Sequence, residues 1–188
     1  MRNISNITAV TGVLLALICF NHARSAAAEE AVTPPPPRIT FHTNSDGVRG
    51  VRLRLYLKTT PDRAWEVVTN RHKAAQLFRA ITAITDSPRG PDFREYHLTS
   101  IVGDKLVICR VERDDTRRRI RWQRVDGHLV ELMGWYHIST EEQYPGYTRV
   151  DYGSYIDPGL IGRALMTNSG RRRDVNYMIS QFRRLTES

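Results

Sequence analysis

Few side chains in this 188-residue chain have the type and spacing that chemistry requires. Six histidines (His22, His42, His72, His97, His128 and His137) are scattered along it. None belongs to an H-E-x-x-H pair or to the paired Cys/His spacing of a zinc site. Ser154 lacks the G-x-S-x-G setting of a strained nucleophile turn, and Cys109 has no neighbouring base to take its proton. Asp114-Asp115 resembles a carboxylate pair, but acids placed just before Thr116 suit a hairpin turn better. No glycine loop has phosphate-binding spacing. No catalytic residue, metal or cofactor is therefore expected. Arg110, His97 and His137 remain as the ionisable groups an enzyme would have to use.

A different pattern points to binding. In the later segments the even positions are apolar: Ile120, Trp122, Val130, Leu132, Tyr136, Ile138, Val150, Tyr152 and Ile156. In regular strands these fall on one face. Leu165, Met178, Ile179 and Phe182 have helical spacing and would close over that face. Tyr136, Tyr152 and Ser154 would then put hydroxyls on an apolar wall, which is the composition of a small-molecule pocket. An ordinary packed core would use the same residues, so the pattern alone leaves both readings open.

The arginine runs carry the competing interpretation. "RRRIRWQR" (residues 117–124) and "GRRRD" (170–174) contribute to a formal net charge of +8. Clustered cations with an aromatic suit phosphate neutralisation and base stacking. Strand alternation accounts for them more simply. Arg119, Arg121 and Gln123 face solvent, while Ile120 and Trp122 face inward. Nucleic acid is the weaker partner; an anionic membrane surface fits the basic outer face better.

These residues need elements to hold them. "VRLRLYLKT" alternates, with Val51, Leu53, Leu55 and Leu57 on one face of a strand. Thr60, Pro61 and Asp62 are cap, first-turn proline and first-turn acid of a helix, which Asn70 to Lys73 would divide in two. Five alternating segments follow, separated by Gly103-Asp104, Asp114-Asp115-Thr116, Asp126-Gly127 and Tyr144-Pro145-Gly146, which are hairpin signals. At Asp157-Pro158-Gly159 the period changes from two to that of a helix. Ile161, Leu165, Val175, Met178, Ile179, Phe182 and Leu185 then share a face of a long C-terminal helix, with Gly170 as a kink. Strand, helix pair, about five strands and a long helix make an α+β fold, an antiparallel sheet with its helices on one side.

The first residues read as a secretory signal, residues 1–28. Arg2 supplies a positive start, "ITAVTGVLLALICF" (7–20) is apolar and uncharged, and Ala26-Ala27-Ala28 offers a small-residue cut. The apolar run falls short of the roughly 18 residues of a spanning helix. An uncleaved anchor is the alternative. Export, to a periplasm or outside the cell, is the expectation. Cleavage would leave Cys109 as the lone cysteine, so no internal disulfide would support the core. Pro34 to Pro37 favour an extended spacer, so residues 29–47 are expected to be a Pro-rich linker and 48–188 the folded domain.

Three stretches carry a family likeness. "TTPDRAWEVVTN" (59–70) resembles the opening helix of the START / polyketide-cyclase / birch-pollen-allergen (SRPBCC) helix-grip superfamily. "RRIRWQRVDGHLVELMGWYHI" (118–138) is similar to its strand pair, in which an aromatic follows glycine; here Trp135 or Tyr136 could be that aromatic. "YTRVDYGSYIDPG" (147–159) is similar to the coenzyme Q-binding START-like branch, where a D-P-G turn leads to the closing helix and Asn168 matches a frequent asparagine. The resemblance implies a curved antiparallel sheet wrapped around the C-terminal helix, with an internal cavity. It implies a hydrophobic ligand, such as a lipid, isoprenoid or polyketide-like compound, carried without bond-making. The cavity would be lined by Trp122, Leu132, Tyr136, Ile138, Val150, Tyr152, Ser154, Leu165, Met178, Ile179 and Phe182, and gated by Asp157, Pro158 and Gly159. A cyclase or aromatase on the same fold is the alternative, and an interaction module using the basic face the second.

Overall fold

The computed structural model describes residues 32–99, 103–159, 162 and 167–187. The expected signal peptide and Leu165 lie outside these residues. Thr33 to Ser188 form one compact unit.

The first strand departs from the sequence reading. Residues 38–43, expected as linker, form β1 (Arg38–Thr43), which pairs antiparallel with β2 (Arg49–Leu57). The hairpin between them is built on Asn44. Its Oδ1 accepts the Asp46 and Val48 amides at 3.1 and 2.8 Å, and Gly47 supplies a left-handed φ of 77°. "RITFHT" alternates Ile39 and Phe41 with polar residues, a short strand pattern that the proline run before it obscures. In the described part of this segment, residues 32–37 have no regular structure and residues 44–47 make the hairpin turn.

The helix pair forms as its capping residues dictate. In α1 (Pro61–Thr69) the Thr60 side chain accepts the Arg63 amide, and Ala64, Trp65, Val67 and Val68 are buried. The Asn70 side chain then accepts the His72 and Lys73 amides, ending one helix and starting α2 (Arg71–Gln76). β3 (Ile81–Asp86) comes next, a strand not anticipated because "ITAITD" is short and lies before the turn-rich stretch. The remaining strands match the five alternating segments: β4 (Phe93–Leu98), β5 (Lys105–Asp114), β6 (Arg119–Gly127), β7 (Glu131–Thr140) and β8 (Thr148–Asp157).

The eight strands make one antiparallel sheet in the order β1-β2-β8-β7-β6-β5-β4-β3. The chain leaves the sheet after β2, makes α1 and α2, and returns at the far edge as β3. β8 then closes the sheet by pairing with β2. The final helix, α3 (Asn168–Thr186), packs on β2 and α1 and buries Val175, Met178, Ile179 and Phe182. Gly159 and Gly162, ahead of it, are helical too. Thr167 is its cap, accepting the Gly170 amide at 3.0 Å, so Gly170 sits in the first turn rather than at a kink. Val130 also departs from expectation. It is 59% exposed because it precedes β7, where strand alternation does not yet apply.

Candidate ligand site

The inner face is set by register. Ile120 of β6 lies opposite Tyr136 of β7, which lies opposite Tyr152 of β8 and then Leu53 of β2. Trp122, Gly134, Ser154 and Val51 form the next row. Side chains in one row share a face. Trp122, Leu132, Tyr136, Ile138, Val150, Tyr152, Met178, Ile179 and Phe182 are all buried in one cluster, and Ser154 is buried beside them. The structure thus brings the described lining residues together in one cluster, while Val130 of the expected inner face lies outside it.

Gly134 makes this arrangement possible. A Cβ there would lie 2.2 Å from the Trp122 ring, so the indole occupies the space a side chain would take. Trp122 can then lie 5.5 Å from the Tyr136 ring and 6.3 Å from Tyr152. Tyr136 sits 4.9 Å from Tyr152 and meets Phe182 edge-on at 5.8 Å. Such offset and edge-on pairs complement the ring quadrupoles. Of the two aromatics after the glycine, Tyr136 is the internal one. Trp135 points to the outer face, where Gly153 leaves room for its ring.

The hydroxyl and thiol groups among the aromatic rings are neutral. The Tyr136 hydroxyl donates to Met178 Sδ at 3.5 Å, a weak acceptor, and burial holds its pKa well above the usual tyrosine value. Burial raises Tyr152 to about 12, against a small opposing effect of its hydrogen bond with Ser154. Cys109 is fully buried, and burial pushes its thiol up to about 12. All three remain protonated near neutrality, so they stand there as neutral hydroxyl and thiol groups.

Toward β4 and β5 the wall continues with residues the sequence reading did not assign to it: Tyr96, Leu98, Val107, Cys109 and Val111. Val107 and Cys109 are fully buried, whereas Tyr96, Leu98, Val111 and Ile120 are packed on the cluster but only partly covered. Their alternation was visible in "REYHL" and "KLVICRV". Parity in these two strands is odd in one and even in the other, so only pairing aligns them. Burial also holds the Tyr96 hydroxyl in its protonated form.

The ionisable suspects lie elsewhere. His137 is on the outer face between Arg119 and Asp151, and burial together with Arg119 lowers its pKa. His97 faces away from Tyr96 and Leu98, with Nε2 3.1 Å from Thr85 Oγ1. Arg110 is exposed and lies over the Phe93 ring. A separate cleft of about 700 Å³ lies between α2 and β3. Its lining is mostly polar, including Asn70, Arg71, His72, Thr85 and Asp86.

The expected gate residues form a hydrogen-bonded turn. The Asp157 carboxylate accepts the Gly159 amide at 2.9 Å, its carbonyl accepts the Val130 amide at 2.9 Å, and Gly159 has φ 82°. Asp157 itself is 2% exposed. Pro158 cannot donate to a ladder, which ends β8.

No family model and no curated protein matches the chain. Its likeness is to solved structures. A START superfamily protein from Mycobacterium smegmatis superposes with a TM-score of 0.52 at 11% identity, over 72% of this chain and 92% of that one. A Streptomyces aromatase/cyclase gives 0.55 at 13%, over 73% and 94%. A ginseng major latex-like protein gives 0.52 at 9%, over 74% and 97%. At these identities the likeness concerns architecture: the chain has the START-like helix-grip fold, a curved antiparallel sheet around its C-terminal helix.

Proposed function

We propose that this protein is an exported carrier that holds a hydrophobic small molecule, of lipid, isoprenoid or polyketide-like type, between its sheet and α3. The observation that carries the reading is the aromatic wall of Trp122, Tyr136 and Tyr152, continued by partly covered apolar side chains at Tyr96, Leu98, Val111 and Ile120. Removing apolar ligand surface from water stabilises a complex by roughly 25 cal/mol per Å² before the costs of association. The protonated hydroxyls would orient the ligand without reacting with it. The turn at Asp157, Pro158 and Gly159 joins the last wall strand to the chain leading to α3, and is the proposed gate.

The outer face supports a delivery step. Rows of register place Arg121, Trp135, Gly153 and Arg52 side by side, with Arg119 in the neighbouring row. Among the described residues Arg52, Arg119 and Arg121 make no ion pair, so their charge is available to an anionic membrane surface. The three groups a cyclase-like enzyme was expected to use, His97, His137 and Arg110, face away from the interior.

Native mass spectrometry of residues 29–188 after exposure to a lipid extract tests the reading. Retention of a defined apolar mass, lost in Tyr152→Ala but kept in Val130→Ala, is expected. A protein that retains nothing from extracts of its own host would overturn it.

A further inference from the structure

Arg124 stands on the wrong side of β6 for a charged residue. It has the parity of Ile120 and Trp122, and register places it opposite Cys109, which is fully buried, and Cys109 opposite Arg94. The irregularity that follows, between Ile108 and Cys109, turns Val125 out to solvent rather than Arg124. Arg124 is therefore a half-buried cation on the apolar side of the sheet, about 7 Å along the strand from Trp122.

Its hydrogen bonding is incomplete. Nη2 donates to the Gly127 carbonyl at 2.9 Å, while Nε is buried without a partner. Gly127 is held in place, since its φ is 102° and a Cβ would lie 2.3 Å from the Leu106 carbonyl oxygen. The nearby acids are already engaged. Asp126 takes Arg89 and the Gly127 amide in direct bonds, and feels Arg124 only through its field; Glu95 accepts from Ser87 on the opposite face of β4. Cys109 is a neutral thiol. Arg94, the other cation of the row, is committed to Asp86 and to the Pro91 and Phe93 carbonyls. Among the described residues Arg124 makes no ion pair. A buried guanidinium N–H without an acceptor is costly, and the planar fork matches a carboxylate.

Resting on the hydrophobic-ligand reading above, we propose that Arg124 anchors the acidic end of the ligand, which is therefore a carboxylate-bearing amphiphile. Its head lies by Cys109 and Tyr96, and its apolar body runs toward Trp122, Tyr136 and Tyr152. The wall discriminates by charge at one end and by shape along the rest.

Fluorescence titration with cis-parinaric acid and with its methyl ester tests this on the full domain. The wild type is expected to favour the acid by tenfold or more. Arg124→Met should abolish that preference and leave the affinity for the ester unchanged, and Arg124→Lys should retain part of it. Equal affinity of the wild type for acid and ester would remove the anchor and leave the cavity reading intact. Equal weakening of both probes by Arg124→Met would make Arg124 a structural support and overturn the anchor. Binding of neither probe would overturn the hydrophobic-ligand reading together with the anchor. The wild-type comparison stands even where a variant fails to fold.

Discussion

Trp122 and Gly134 form one unit on adjacent strands: the ring fills the space that a side chain on the glycine would need. Gly134→Val should therefore displace the indole and cost about 1–3 kcal/mol, seen as a lower denaturation midpoint. Tyr136→Phe separates stability from binding. The hydroxyl's acceptor is a thioether at 3.5 Å, so its loss should change stability by under about 1 kcal/mol. A loss of ligand retention in that variant, at unchanged midpoint, would assign the hydroxyl to the ligand. Cys109 gives a pH test. Its folded pKa is raised from 9.0 to about 12. The unfolded thiol ionises first as pH rises, so its contribution to stability is complete below about pH 9 and declines from there toward 12. Thiol reagents should label Cys109 in the native protein only at the rate of unfolding, and labelling at the rate of a free thiol would contradict its burial.

The elements are fixed by their ends. Thr167 caps α3, and Thr167→Ala should cost about 1 kcal/mol and fray the first turn, measurable by amide exchange at residues 168–171. That turn also carries Arg171, which lies 4.6 Å over the Phe41 ring and donates to the Gly50 carbonyl at 3.3 Å. Fraying should therefore loosen the edge pair β1–β2. On the outer face, Tyr56 donates to Glu141 at 2.7 Å, and Arg149 bonds both Glu141 and Asp151. The hydrogen bond from Tyr56, then that from Arg149, holds Glu141 below the usual carboxylate range. Its folded pKa is depressed, so its contribution is present above the unfolded value near 4.5 and is lost as pH falls through the folded one. Tyr56→Phe should flatten that acid limb of the stability profile.

At the scale of the whole molecule, β1 decides where the domain begins. It covers Leu53 and Val51 from the sheet edge through Ile39 and Phe41. A chain starting at Arg38 should fold with the midpoint of residues 29–188. One starting at Val48 would expose the edge of β2 and should be less stable and prone to associate, which light scattering would detect. Equal behaviour of the two truncations would return residues 38–47 to the role of linker.

Local periods and their punctuation are legible in the sequence alone. Alternation marked β2 and β4 to β8, Thr60 and Asn70 marked the helix starts, and Asp157-Pro158-Gly159 marked the end of β8. These depend on neighbours a few residues apart, where backbone sterics and side-chain capping act directly. Parity even placed Trp122, Tyr136 and Tyr152 on one side. Tertiary structure decided what those sides meet. β1 and β3 are short strands whose stability comes from pairing across the sheet, so "RITFHT" and "ITAITD" gave too little local signal. Tyr136 rather than Trp135 became internal because Gly153 accepts the outer ring. Arg124 had inward parity in the sequence, but only the pairing with Cys109, and the direct bonds of Arg94 and Asp126 to other groups, show a cation that makes no direct ion pair and has a buried Nε without a partner. Which charge goes unpaired depends on contacts between residues far apart in the chain, and periodicity carries no information about those.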